Sequence, residues 1–203
     1  RKADYESGVD ISQNGSLEAQ IVDLSDEISS LTHDLDDGLR GGILRSDELF
    51  KIDLWKEVLG HVPNGSSEKI WISEVISELM KTMTNDLCTE SLCRLDRLSP
   101  ASPLDIRNAD FPVIAFSKDF EHKLGSLRHF LYNRMYMHPE VALQSARGKK
   151  IIEKIFRFLL EFPRAIPSPF REMLADGEKV HFVIKDFIAG MTDDFALDFA
   201  RKI

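Results

Sequence analysis

Apolar residues recur at intervals of three and four along most of the chain, and stretches that alternate apolar with polar are scarce. That is the period of a helix with one buried face, so the pattern predicts α-helices throughout. The first is expected after Asn14-Gly15-Ser16, with Ser16 as N-cap and Glu18 in the first turn, facing the positive end of the helix dipole. Leu17, Ile21, Leu24, Ile28, Leu31 and Leu35 supply its buried stripe, and Gly38, Gly41 and Gly42 end it. Ser46-Asp47-Glu48 caps a second helix to about Leu59. Pro63-Asn64-Gly65 reads as a turn, and Ser66 or Ser67 opens a long helix reaching about Leu98.

Pro100 and Pro103 break the period, and residues 99–116 are expected to form an irregular connection. It resumes from Ser117 with Phe120, Leu124, Leu127, Leu131 and Met135. Pro139 suits the first position of the next helix, which carries Val141, Ile151, Ile155, Phe158 and Leu159. Pro163, Pro167 and Pro169 interrupt again. The last segment, His181 to Ile203, is broken at Gly190, with Thr192 as N-cap of a terminal helix. Neither a repeat nor a shift in composition marks a second domain. The expectation is an all-α fold of seven or so helices, one domain over residues 1–203.

Composition narrows the function classes. Of 203 residues 43% are hydrophobic, enough for a core. The 34 acidic against 26 basic residues give a net charge of −8, which argues against a dedicated nucleic-acid binder while leaving room for a local basic pocket. No apolar run approaches the roughly 20 residues that span a bilayer. Cys88 and Cys93, five apart, lack zinc-ribbon or redox spacing and are expected to be buried thiols of a reduced, cytoplasmic protein. The chain opens Arg1-Lys2-Ala3-Asp4, with neither Met nor an apolar leader, and reads as a piece of a longer protein.

The first helix carries the densest chemistry. Asp26 and Asp34 are eight apart, so they differ by ~80° around the helix and ~12 Å along it. With Ser30 between them they form a polar strip beside the apolar stripe. On pattern alone the plainer reading is a solvated acidic face on an ordinary amphipathic helix.

The wording of the chain adds to this. Leu17-Glu-Ala-Gln20, Ser25-Asp-Glu-Ile28 and Thr32-His-Asp-Leu-Asp-Asp-Gly-Leu39 resemble the deoxynucleoside-triphosphate triphosphohydrolases, the dGTPase branch of the HD phosphohydrolase superfamily. Leu127-Arg-His-Phe-Leu-Tyr132, with Tyr136 and His138-Pro139, resembles a second block of that family. Asp186-Phe-Ile-Ala-Gly-Met-Thr-Asp193 looks like its C-terminal signature. The fold this implies is an HD-domain-like helical bundle, of which the chain carries the C-terminal portion.

The resemblance implies that Asp26 is the last ligand of a divalent metal cation, although His33-Asp34 spells the dipeptide that names the superfamily. The family's His and His-Asp ligands come earlier in the chain, and here no histidine precedes Asp26. A single carboxylate is a poor metal site. Asp34 is implied to hydrogen-bond the sugar 3′-hydroxyl, Arg128 to contact the phosphates and Tyr136 to lie against the deoxyribose. Arginine's planar fork suits a phosphate. Arg128 and Tyr136 are themselves eight apart, on one side of a helix, while Arg128 as a surface charge and Tyr136 as a core aromatic is the structural alternative. Relatives generally carry tyrosine where Ser30 stands, so the pocket is wider here, or another aromatic fills it, or activity differs. Asp194 also departs from a residue that is often basic.

The implied activity of the full-length protein is metal-dependent hydrolysis of a deoxynucleoside triphosphate to deoxynucleoside and inorganic triphosphate, the 203-residue chain alone being inactive. The resemblance further implies a homo-oligomer, with single-stranded nucleic acid at a secondary site to which Arg147, Lys149 and Lys150 could belong. Two alternatives stand beside it: a catalytically silent helical module for assembly or regulation, and an HD phosphohydrolase acting on another nucleotide.

Overall fold

The computed structural model describes residues 13–63 and 67–203; Asn64 and Gly65 of the expected turn, the Ser66 cap and Arg1 to Asp4 lie outside the described residues. All regular structure among the described residues is helical. The chain runs through α1 (Leu17–Arg40), α2 (Ser46–Leu49), α3 (Asp53–Leu59), α4 (Glu68–Leu98), α5 (Pro103–Arg107) and α6 (Lys118–Leu131). A π-helical turn (Tyr132–Tyr136) follows, then α7 (Pro139–Glu161), a 3-10 turn (Pro163–Ala165), α8 (Phe170–Ala175), α9 (Val180–Ala189) and α10 (Asp193–Lys202). The chain divides into two compact units, residues 1–137 and 138–203. No helix among the described residues is long and apolar enough to cross a membrane.

In the first unit α1 packs on α4. Ile28, Leu31 and Leu35 meet a ridge of Ile72, Val75, Ile76, Leu79, Met83 and Leu87, closed by Leu54, Trp55 and Val58 of α3 and by Phe120, Leu124, Leu127 and Leu131 of α6. Each fully buried Leu contributes about 1.5–3 kcal/mol of burial free energy, so these four faces set where the helices lie. In the second unit Ile155 and Leu159 of α7 pack with Ile166, with Val183, Ile184 and Phe187 of α9, and with Ala200 of α10.

Several expectations change. The second helix is two: Ile52 is buried in extended conformation, and the break at Phe50 to Ile52 lets Leu49, Ile52 and Leu54 all reach the core. Ile21 is 44% exposed, at the edge of a groove of about 540 Å³ between α1 and α4 that also holds Met80, Cys88 and Leu92. Both cysteines are exposed, because the buried face of α4 runs through Leu87 and Ser91 and leaves positions 88 and 93 off it. Gly38 does not end α1; it lies within the helix and is buried. A methyl group there would sit 2.5 Å from Leu44 Cδ1 and 3.4 Å from the Met135 sulfur, so the missing side chain is what lets these neighbours close in.

The connection before α6 is irregular except for α5, whose first turn is fixed by Pro103 and by Asp105 accepting the Ala101 and Ser102 amides, both at 2.8 Å. Beyond α5 the backbone finds side-chain partners. Asn14 Nδ2 donates to the Ala109 and Phe111 carbonyls, Gln20 Oε1 accepts from the Val113 and Ile114 amides, and Ser91 Oγ from Ala115. Asp86 takes both the amide and the hydroxyl of Ser117, the α6 N-cap. This stitching delivers α6 alongside α1.

Candidate functional site

Two cross-links join α1 to α6 and its π-turn. Arg128 of α6 donates from Nε to Oε1 of Glu27 at 2.5 Å, and further along Tyr136 donates its hydroxyl hydrogen to the Asp34 carboxylate. Glu27 to Asp34 is seven residues and Arg128 to Tyr136 is eight, both advancing in the same sense, so the two helices run parallel here.

The unequal spacing has a physical cause. Seven residues are nearly two turns of α-helix, whereas eight overshoot by ~80°. The π-turn absorbs the extra residue: the Met137 amide bonds the Tyr132 carbonyl, five residues back, at 3.1 Å. Arg128 and Tyr136 therefore face α1 together, as the sequence reading expects, through a turn that the apolar pattern does not signal.

Arg128 is half-buried and fully engaged. The Nε/Nη2 edge of its guanidinium lies on Glu27, while Nη1 donates to Glu121 Oε1 at 2.5 Å and Nη2 lies 3.4 Å from Glu121 Oε2. Partial burial works against the charge, and the hydrogen bonds to Glu121 and Glu27 outweigh it, holding the group above the ordinary arginine range. Tyr136 titrates high as well: burial, then the hydrogen bond to Asp34, then the charge on Asp34 push its hydroxyl up to about 12. Arg134, on the outer side of the π-turn, pairs with Glu48 of α2 at 3.0 Å.

Asp26 and Ser30 are exposed on α1, and Asp34 is half-buried. His33 is exposed and paired with Ser29 of its own helix. Among the described residues no group of three or more His, Cys, Asp or Glu is placed to hold a metal ion. The donor set does not fit a divalent cation by itself, since one exposed carboxylate falls short of the three or four ligands such a centre takes. Of the four site residues read from the sequence, Asp34 and Tyr136 meet directly, Arg128 stands two turns before Tyr136, and Asp26 precedes Arg128's partner Glu27. The sequence reading missed Glu27 and Glu121, whose only signal was their acidity.

Residues 114–202 match the model of a phosphohydrolase-associated domain. A deoxyguanosinetriphosphate triphosphohydrolase-like protein of Leptospira interrogans is 37% identical over 96% of this chain and 53% of its own length. Proteins of the same description from Caulobacter sp. (32% identical, over 100% of this chain and 52% of the relative) and Geobacter metallireducens (32%, over 92% and 49%) also match. The chain thus spans about half the length of the curated relatives it matches. Within that span, the matched domain and this identity along nearly the whole chain place it in the deoxyguanosinetriphosphate triphosphohydrolase-like family.

Proposed function

We propose that this chain is the sugar- and phosphate-holding part of a deoxynucleoside triphosphate triphosphohydrolase, the whole protein converting a dNTP and water to deoxynucleoside and inorganic triphosphate. The meeting of Asp34 and Tyr136 carries the reading. A carboxylate and a phenol already within hydrogen-bonding reach of each other present an acceptor and a donor-acceptor to a sugar hydroxyl placed between them. Tyr136 adds an aromatic face for the deoxyribose.

Arg128 lies two turns back, ~12 Å along the helix, a span that suits the step from sugar to phosphate. A guanidinium there offsets phosphate charge through paired hydrogen bonds. Asp26 would contribute one carboxylate to a divalent metal whose other ligands come from outside this chain. The homo-oligomer and the secondary nucleic-acid site stay proposals of the same resemblance.

Product analysis tests the reaction: dGTP and other dNTPs supplied to the protein containing this chain should yield deoxynucleoside and inorganic triphosphate, and release of pyrophosphate or orthophosphate would overturn it. In that protein Asp34→Ala and Tyr136→Ala should each lower kcat/KM about ten- to a hundred-fold, the effect of losing one charge-assisted hydrogen bond. An unchanged kcat/KM with a lowered Tm would favour the non-catalytic helical module instead.

A further inference from the structure

Both of Arg128's two-pronged edges are occupied by carboxylates, Glu27 on one and Glu121 on the other. A phosphate needs one of those edges for a bidentate contact, so a ligand has to displace one of the two. The two are not equivalent. Glu27 sits in the middle of α1, its side chain 27% exposed. Glu121 is 51% exposed, and its second contact to Arg128 is long, at 3.4 Å.

Glu121 also has somewhere else to go. It belongs to the first turn of α6, where the unpaired amides and the helix dipole favour a carboxylate. It lines a pocket of about 490 Å³ whose wall also carries Lys118, Arg94, which is paired with Glu90, and Asp23, so a released side chain stays in a pocket with two cations against one other carboxylate. Glu27, in mid-helix, has no comparable refuge.

We propose that Glu121 is a positioning and gating residue: its carboxylate stands in for a phosphate on the outer edge of Arg128 and yields that edge to the triphosphate, while Glu27 keeps hold of the other edge and fixes the plane of the guanidinium. The inference rests on reading Arg128 as a phosphate contact. Its consequence is competition. Glu121 lowers the affinity of Arg128 for any anion, so only a ligand with enough negative charge, such as a triphosphate, displaces it at moderate concentration.

The test uses the 203-residue chain, with inorganic tripolyphosphate as the probe, isothermal titration calorimetry as the readout and circular dichroism as the check on folding. Glu121→Gln should bind tripolyphosphate about ten-fold more tightly than the wild type, the scale of one charge-assisted contact no longer contested. Glu121→Asp keeps the charge but is too short to span the seven residues to Arg128, so it too should gain affinity. In the Arg128→Ala background the Glu121→Gln gain should disappear; Arg128→Lys, which keeps the charge without the fork, replaces it if the Ala variant is unfolded. The side-chain Nε–H resonance of Arg128 should stay in its Glu27-bonded position throughout the titration.

Arg128-dependent binding that Glu121→Gln leaves unchanged overturns this inference and leaves the phosphate reading standing. A Glu121→Gln gain that persists without Arg128 is a general charge effect and also overturns it. Equal binding by Arg128→Ala and wild type, or no binding by either wild type or Glu121→Gln, overturns the phosphate reading and the inference with it.

Discussion

Tyr136 donates its hydroxyl hydrogen to the carboxylate of Asp34, a residue 102 positions earlier in the chain. The bond joins the last residue of the π-turn to the penultimate full turn of α1, and it depends on everything between them that brings α6 beside α1.

That bond carries a pH signature. The folded state holds the Tyr136 hydroxyl up to about 12, against the ordinary tyrosine value of about 10. A raised folded value means that the protonated phenol is favoured by folding. Its contribution is therefore complete below about pH 10 and is lost as pH climbs through about 12. Chemical denaturation of wild type and Tyr136→Phe across this range should show a gap at pH 9 that closes by pH 12. A gap that stays constant would show that the hydroxyl is not what Asp34 holds.

Gly38 should resist even a methyl group. In an exposed helix Gly→Ala gains about 0.5–1 kcal/mol. Here the methyl meets buried Leu44, and overpacking costs about 1–3 kcal/mol. The net expectation is a loss of about 1 kcal/mol in urea denaturation. Because Met135, next to Tyr136, is a second neighbour of that methyl at 3.4 Å, the Tyr136–Asp34 pairing should loosen as well, seen as a smaller stability gap between the Gly38→Ala protein and its Tyr136→Phe derivative. A stabilised Gly38→Ala protein would refute the close approach.

The Glu27–Arg128 link should appear in a double-mutant cycle. Replacing each by Gln, singly and together, is expected to give a coupling energy of about 1 kcal/mol at low salt, the upper part of the range for pairs in contact with solvent. It should shrink as ionic strength shortens the Debye length to below ~10 Å. A coupling near zero at low salt would mean the two side chains are not held together in solution.

Asp26 offers the contrast. Its carboxylate is exposed and makes no hydrogen bond or ion pair among the described residues. Asp26→Ala should leave the stability of this chain within about 0.5 kcal/mol, whereas Leu35→Ala, fully buried on the same helix, should cost about 2–5 kcal/mol. If Asp26→Ala unfolds the chain, its position is structural and its assignment as a metal ligand loses its basis.

The helical class and most helix ends were legible because caps and prolines act locally: Ser16, Ser67, Ser117, Pro139 and Thr192 each begin the helix that the sequence predicts. What escaped is set by tertiary contact. Whether Ile21 or Cys88 is covered depends on what packs against α1 and α4, and the burial of Gly38 depends on Leu44 and Met135. In the site, Asp34, Arg128 and Tyr136 were readable as residues that the family resemblance singles out. Glu27 and Glu121 were not, because an acidic residue on a helix reads as solvated until its partner is known. Gln20, visible only as a letter in the first motif, turns out to hold two amides of the segment before α6.

The π-turn makes register a discrete variable. A side-chain substitution within residues 132–136 changes contacts by degrees, but adding one residue before Tyr136 would swing it by ~100° about the helix axis, whereas removing one lets the segment relax to plain α-helix with Tyr136 seven residues, nearly two turns, after Arg128. The insertion would turn Tyr136 away from Asp34 while Arg128 stayed on Glu27, severing the second cross-link and sparing the first, and the deletion would keep both. This five-residue turn should therefore tolerate changes of identity and the loss of one residue far better than the gain of one, and a single-codon insertion would separate the Tyr136–Asp34 link from the Arg128–Glu27 link without altering a residue in either.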